Sequence, residues 1–175
     1  MCDTGYTVKE FVTDLRDLKS RGLDERALLA EAAELASRLM LMKHNWLRSY
    51  MMTPPEPADP PFSRHKLHEE PDHSLLVLVV TLGGGRHTAP HDHGTWALVA
   101  GLDGQETNRR WRRASASEVE ADGEQAIDSA TIVSIPSGEI HSLHNDAAAP
   151  SVTLQVYGSN PEFTAHRNYT ARRPS

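Results

Sequence analysis

Apolar residues in the first third of the chain recur at helical spacing, and those in the remainder fall in short runs broken by turns. Phe11, Leu15 and Leu18 lie three or four positions apart behind Thr7 and Glu10, a pair with the pattern of a capping box. Gly22 closes that segment. Asp24 stands where a side-chain cap is needed for a longer helix carrying Leu28, Leu35, Leu39 and Met42. The alanines and leucines of this second stretch favour helix by propensity. Prolines are then too dense across residues 51–61 for a helix or a central strand, so a surface loop is predicted there.

From residue 75 onward the period changes. Residues 75–82 form an aliphatic, β-branched run bounded by His73-Ser74 and by Gly83-Gly84-Gly85. Segments 95–100, 105–112, 130–135, 139–144 and 151–157 are short and separated by turn residues. Strands at this spacing predict an all-β sandwich or barrel. The expectation is one domain over residues 1–175. It has a helical lead-in at 1–50, the Pro-rich loop at 51–61, a barrel at 62–160 and a C-terminal extension at 161–175.

Composition narrows the function classes. A chain of 175 residues can bury a real core. Its net charge of -6 gives no electrostatic reason to bind nucleic acid. The one cysteine, Cys2, leaves no disulfide framework and no cysteine-based metal knuckle. The first ten residues contain no apolar signal segment, and the longest aliphatic run, 75–80, is too short to span a bilayer. A cytoplasmic protein with neither a membrane nor a nucleic-acid partner is expected. "NRRWRR", residues 108–113, offers basic side chains around Trp111, the ingredients of a nucleic-acid contact. It is short and sits in an acidic chain, so a solvated strand end is expected instead.

The candidate chemistry lies in "GGGRHTAPHDHGTW", residues 83–96. Two residues apart on an extended strand share a face, so His91 and His93 point the same way if this stretch is extended. Imidazole suits zinc, copper, iron and nickel. The pair alone also fits a polar loop. A second cluster, "IPSGEIHSLHN" at 135–145, places His141 after a Pro136–Gly138 turn, with His144 on the opposite face. A barrel can bring the two segments together.

Gly85, five residues, then His91-x-His93 resembles the first cupin motif. Pro136-x-Gly138-x-x-His141-x-x-x-Asn145 resembles the second, about fifty residues later. The resemblance implies a double-stranded β-helix (jelly-roll) barrel with His91, His93 and His141 as metal ligands. Most cupins add a glutamate four or five positions after the second histidine. Ala97 and Leu98 stand there, and Glu106 is too far along. Three neutral ligands leave a divalent ion its full charge, which favours an anionic ligand such as a thiolate.

Three-histidine cupins with "HDH" resemble the cysteine dioxygenase family. The likeness runs through "PHDHGTW", "PSGEIHSLHN" and "PSVTLQVYG". It implies ferrous iron, Fe(2+), and conversion of a small thiol carboxylate to its sulfinate with O2. Alternation puts Thr153, Gln155 and Tyr157 on one face of the last segment. The plain reading is a polar face in water, whereas the family likeness turns that face toward the iron cavity. Family members often carry a serine-histidine-tyrosine relay at this spacing. Here Tyr157 is kept, Thr153 replaces serine and Gln155 replaces histidine. Glutamine bridges two hydroxyls but cannot titrate. Mammalian members crosslink a cysteine to the tyrosine; with Cys2 alone, no crosslink is expected.

Arg64 aligns with the arginine that grips the substrate carboxylate in cysteine dioxygenases, a task suited to a bidentate guanidinium. Arg167 competes for it by likeness to 3-mercaptopropionate-type relatives, in a register that leaves His166 and Arg167 interchangeable. L-cysteine is the first-choice substrate and 3-mercaptopropionate the second. If both arginines enter the cavity, a dicarboxylate thiol such as mercaptosuccinate fits. Trp96 is expected in core packing. His44, His65, His68, His73 and His87 lack a partner at ligand spacing, His87 being nearest the cluster. A cupin enzyme with a non-thiol substrate, or a metal-containing cupin that binds a small acid without turnover, are the competing readings.

Overall fold

The computed structural model describes residues 5–56 and 60–172. Cys2, and with it the expectation of no crosslink, lies outside the described residues. So does the centre of the Pro-rich loop.

Both helices start where local chemistry puts them. In α1 (Val8–Ser20) the Glu10 amide donates to the Thr7 hydroxyl at 3.2 Å, and the Glu10 carboxylate accepts from the Thr7 amide at 2.9 Å. The two bonds satisfy orphan donors of the first turn. Gly22 turns the chain in the left-handed region at φ +64°. Asp24 then caps α2 (Glu25–Leu41) through the Ala27 amide at 2.9 Å. A short α3 (Lys43–Trp46) follows.

Among the described residues twelve strands follow: β1 (Phe62–Glu69), β2 (Leu76–Leu82), β3 (Arg86–His87), β4 (His91–Asp92), β5 (Ala97–Asp103), β6 (Glu106–Arg113), β7 (Glu118–Ile127), β8 (Ile132–Ile135), β9 (Ile140–Asn145), β10 (Ser151–Tyr157), β11 (Arg167–Asn168) and β12 (Thr170–Ala171). One sheet runs β1-β2-β10-β5-β8. The other runs β11-β4-β9-β6-β7-β12, with β3 also on β9. The expected all-β barrel with N-terminal helices is therefore the observed architecture.

Burial explains the aliphatic run of β2. Val77, Val79, Leu154 and Val156 face outward and pack under Phe11, Leu15, Leu29 and Leu39 of the helices. Leu76, Leu78, Val80 and Tyr157 face inward with Val99, Val133 and Leu143. Strands β2 and β10 are thus buried on both faces, which removes the alternation expected of a half-exposed strand. No helix among the described residues is long and apolar enough to cross a membrane.

Two long strands, β1 and β7, were not read from the pattern. β7 is ten residues long and mostly exposed. Its place comes from backbone pairing with β6, which hydrophobic periodicity cannot signal. The same pairing gives two of the four arginines in 108–113 an acidic partner on β7. Arg109 meets Glu124 at 3.3 Å and Asp146 at 3.8 Å, and Arg112 meets Glu120 at 2.9 Å.

Candidate metal centre

Strand register brings the two histidine segments together. His91 of β4 stands directly opposite His141 of β9. His93, two positions on, reaches the same point. Asp92 between them faces away, accepting the Tyr169 hydroxyl at 2.6 Å and the Arg167 amide at 3.1 Å. Gly94 follows at φ +63°. A Cβ there would lie 3.0 Å from the Thr164 hydroxyl, which donates to the His93 carbonyl. Glycine thus supplies both the turn and the close approach after the last histidine.

The ring nitrogens face one another. His93 Nε2 lies 3.1 Å from His91 Nε2 and 3.2 Å from His141 Nε2. The potential ligand atoms of all three lie within 4.8 Å of one another. Imidazole–metal bonds of about 2.0–2.1 Å put two nitrogens about 3.0 Å apart at a right angle and about 3.4 Å apart at the tetrahedral angle. The two spacings from His93 fall between these.

Hydrogen bonds behind two of the rings fix their tautomers. His91 Nδ1–H donates to the Ala89 carbonyl at 2.8 Å, and His141 Nδ1–H donates to Asn108 Oδ1 at 2.7 Å. Each Nε2 is then left with its lone pair toward the shared point. Burial pushes all three side chains below the ordinary histidine range, His93 to about 3. They stay neutral, the state a ligand needs. This donor set fits a divalent ion, and it contains no carboxylate. Ala97 and Leu98 are fully buried in the wall. Glu106 is buried too, but its Oε2 accepts from Ser151 at 2.6 Å.

The three histidines line a cavity of about 440 Å³. Leu76, Leu78, Val80 and Leu143 make an aliphatic wall. Tyr157 and Gln155 also face it, and the Tyr157 ring meets the His93 ring edge-on at 4.9 Å. Tyr157 donates its hydroxyl proton to Gln155 Oε1, and Gln155 Nε2 donates to the Thr153 hydroxyl at 3.1 Å. The polar face of β10 is therefore inside the barrel, not in water. Burial raises the Tyr157 hydroxyl well above its ordinary range, and the charge of Arg64 offsets part of that rise.

The two candidate arginines separate. Arg64 lines the cavity at its open side, half-exposed, 3.4 Å from Glu162. Arg167 does not line it. In the β11–β4 pairing Arg167 stands opposite Asp92 and Asn168 opposite His91. His166 and Asn168 line the cavity, whereas the Arg167 backbone amide is held by the Asp92 carboxylate and its side chain is absent from the lining. Of positions 166 and 167, His166 lines the cavity and Arg167 does not.

Trp96 packs in the core under the helices. His144 faces away from His141 and stacks on His87 at 5.3 Å, and His87 in turn reaches the cavity lining. His73 stacks on Phe163 at 3.7 Å, and its carbonyl accepts the Asn160 amide, which holds the 160–163 turn beside the cavity. Sequence reasoning missed Asn108 and Glu162 as site residues. Asn108 had a signal: a polar residue two positions from Glu106, on the same face of a strand.

No family model matches the sequence, and no curated protein does. Solved structures match. The chain is similar to a double-stranded β-helix protein of Klebsiella pneumoniae, with 14% identity and a TM-score of 0.53, over 70% of this chain and 89% of that one. The fold is a double-stranded β-helix. It is also similar to the DMSP lyase DddQ of Ruegeria pomeroyi, with 17% identity and a TM-score of 0.50, over 70% of this chain and 58% of that one. An oxalate decarboxylase of Bacillus subtilis matches at 17% identity and a TM-score of 0.43, over 54% of this chain and 24% of that one. At these identities the neighbours establish architecture alone.

Proposed function

We propose that this chain is a mononuclear iron thiol dioxygenase that converts a small thiol carboxylate to its sulfinate with O2. The observation that carries the reading is a set of three neutral imidazoles, with no carboxylate among them, facing a mostly aliphatic cavity. A ferrous ion held by His91, His93 and His141 would keep its full charge, favour a thiolate over a neutral thiol, and supply the one-electron steps that O2 chemistry requires. The net change balances as thiol plus O2 giving sulfinate and one proton.

The chain's own residues supply positioning. The Ala89 carbonyl and Asn108 hold two of the rings in the ligating tautomer. Tyr157 offers a hydroxyl that stays protonated across the physiological range. Gln155 carries no titratable proton, so the Tyr157–Gln155–Thr153 chain orients groups and does not relay protons. The Arg64–Glu162 pair is complementary to an α-amino acid headgroup: guanidinium to carboxylate, carboxylate to ammonium. That complementarity supports L-cysteine over 3-mercaptopropionate.

The deciding experiment is O2 uptake by anaerobically iron-loaded protein, with sulfinate measured by mass spectrometry. L-cysteine is expected to give uptake matched to sulfinate, 3-mercaptopropionate less, and cysteamine least. No uptake with any thiol at full iron occupancy would overturn the reading and favour a binding role or another substrate. Metal content must be measured in the same sample, because imidazole sites hold nickel and copper more tightly than ferrous iron. Replacing Arg64 by alanine is expected to raise KM for the carboxylate thiol about tenfold with kcat nearly unchanged, the scale of one partly exposed charge-assisted bond. An unchanged KM would remove Arg64 from the substrate site.

A further inference from the structure

Asn108 and Glu106 stand two apart on β6 with unbroken pairing to β7, so their side chains share the inner face. Both are nearly fully buried, at 1% and 3% exposure. Each uses one polar atom. Asn108 Oδ1 accepts from His141, and Glu106 Oε2 accepts from Ser151 of the facing sheet. Each also has a buried atom without a partner among the described residues, Nδ2 of Asn108 and Oε1 of Glu106. The two are complementary, one a donor and the other an acceptor. The amide orientation is not free, because the His141 tautomer that ligates through Nε2 requires Oδ1 toward Nδ1–H. Nδ2 must then point to an acceptor elsewhere.

We infer that Glu106 is a positioning residue of the metal centre, acting on His141 through one buried water and the Asn108 amide. Residues two apart on a strand face are separated by about 6.5–7 Å, which leaves room for a water between the two polar ends. Water accepts from Nδ2–H and donates to Oε1. The carboxylate thereby holds the amide in one orientation, and the amide holds the ring. Ser151 ties the other carboxylate oxygen to β10, so the support spans both sheets. Burial raises the Glu106 carboxyl to about 7, so the strength of this support changes near neutral pH. The uncharged Ser151 hydroxyl is its hydrogen-bond partner, and Tyr157 is the titratable group that feels its charge.

The inference rests on His141 as an ion ligand and not on thiol chemistry. The test is a double-mutant cycle on the full chain loaded with cobalt(II), reading affinity by competition and the visible ligand-field bands. Wild-type binding is measured first; its absence would overturn the ion site and this inference together. Glu106→Gln is expected to weaken cobalt binding about tenfold and to shift the bands, the low end for residues that support a ligand. In an Asn108→Ala background the same substitution is expected to change nothing further. Additive effects, or unchanged affinity in Glu106→Gln, would overturn it. One measurement needs no variant: an atomic-resolution crystal structure should show a water within hydrogen-bond distance of both Asn108 Nδ2 and Glu106 Oε1. No water there also overturns it.

Discussion

Replacing His93 by leucine is expected to abolish divalent-ion binding while leaving the metal-free chain at least as stable as the natural one. His93 is 5% exposed, and its Nδ1 is buried without a partner among the described residues. Its Nε2 is crowded by two other nitrogens. An unmatched buried polar atom costs about 1–3 kcal/mol, and leucine removes it. His141→Leu should behave differently. It leaves Asn108 Oδ1 without its donor, so the metal-free chain is expected to lose about 1–3 kcal/mol. Both variants lose one of three ligands, which should cost more than the roughly 100-fold upper end seen for residues that merely support a ligand. Metal competition titration and calorimetry with a chelator present check the two halves. Equal destabilisation by both variants would sink the argument, because it would mean that His93 is as well satisfied as His141.

The second large effect concerns pH. In the metal-free chain Glu106→Gln is expected to stabilise by about 3 kcal/mol above pH 7 and by almost nothing below about pH 4.5. The Glu106 carboxyl rises from its usual 4.5 to about 7, chiefly through burial, and the Ser151 bond recovers only part. Between those values the folded state holds a proton that the unfolded chain has released. Stability therefore falls as pH rises through that window, and the loss is complete above 7. Glutamine has no proton to lose. Denaturant unfolding at several pH values tests this, and a pH-independent difference between the two proteins would refute it. Stability and ion binding then pull in opposite directions at one side chain, as expected where a local rule is broken for function.

The legible parts of this protein were the local ones. Thr7, Glu10 and Asp24 start helices because their side chains reach backbone donors within three residues. The paired histidine motifs, and Tyr157 in alternation with Gln155, were also visible, because a strand's period assigns each residue a face without reference to its partners. Tertiary structure alone decided what those faces meet. The inner face of β10 is polar yet buried, because a second sheet closes over it. β7 is a strand because β6 pairs with it. His166 lines the cavity and Arg167 does not because β11 pairs with β4 in one register. Asn108 sits behind His141 because β6 pairs with β9, across 33 positions of sequence. Local bonds and periodicity act over a few residues and can be read along the chain. Register between distant strands is chosen by the burial of whole faces at once, so it enters only when the barrel closes.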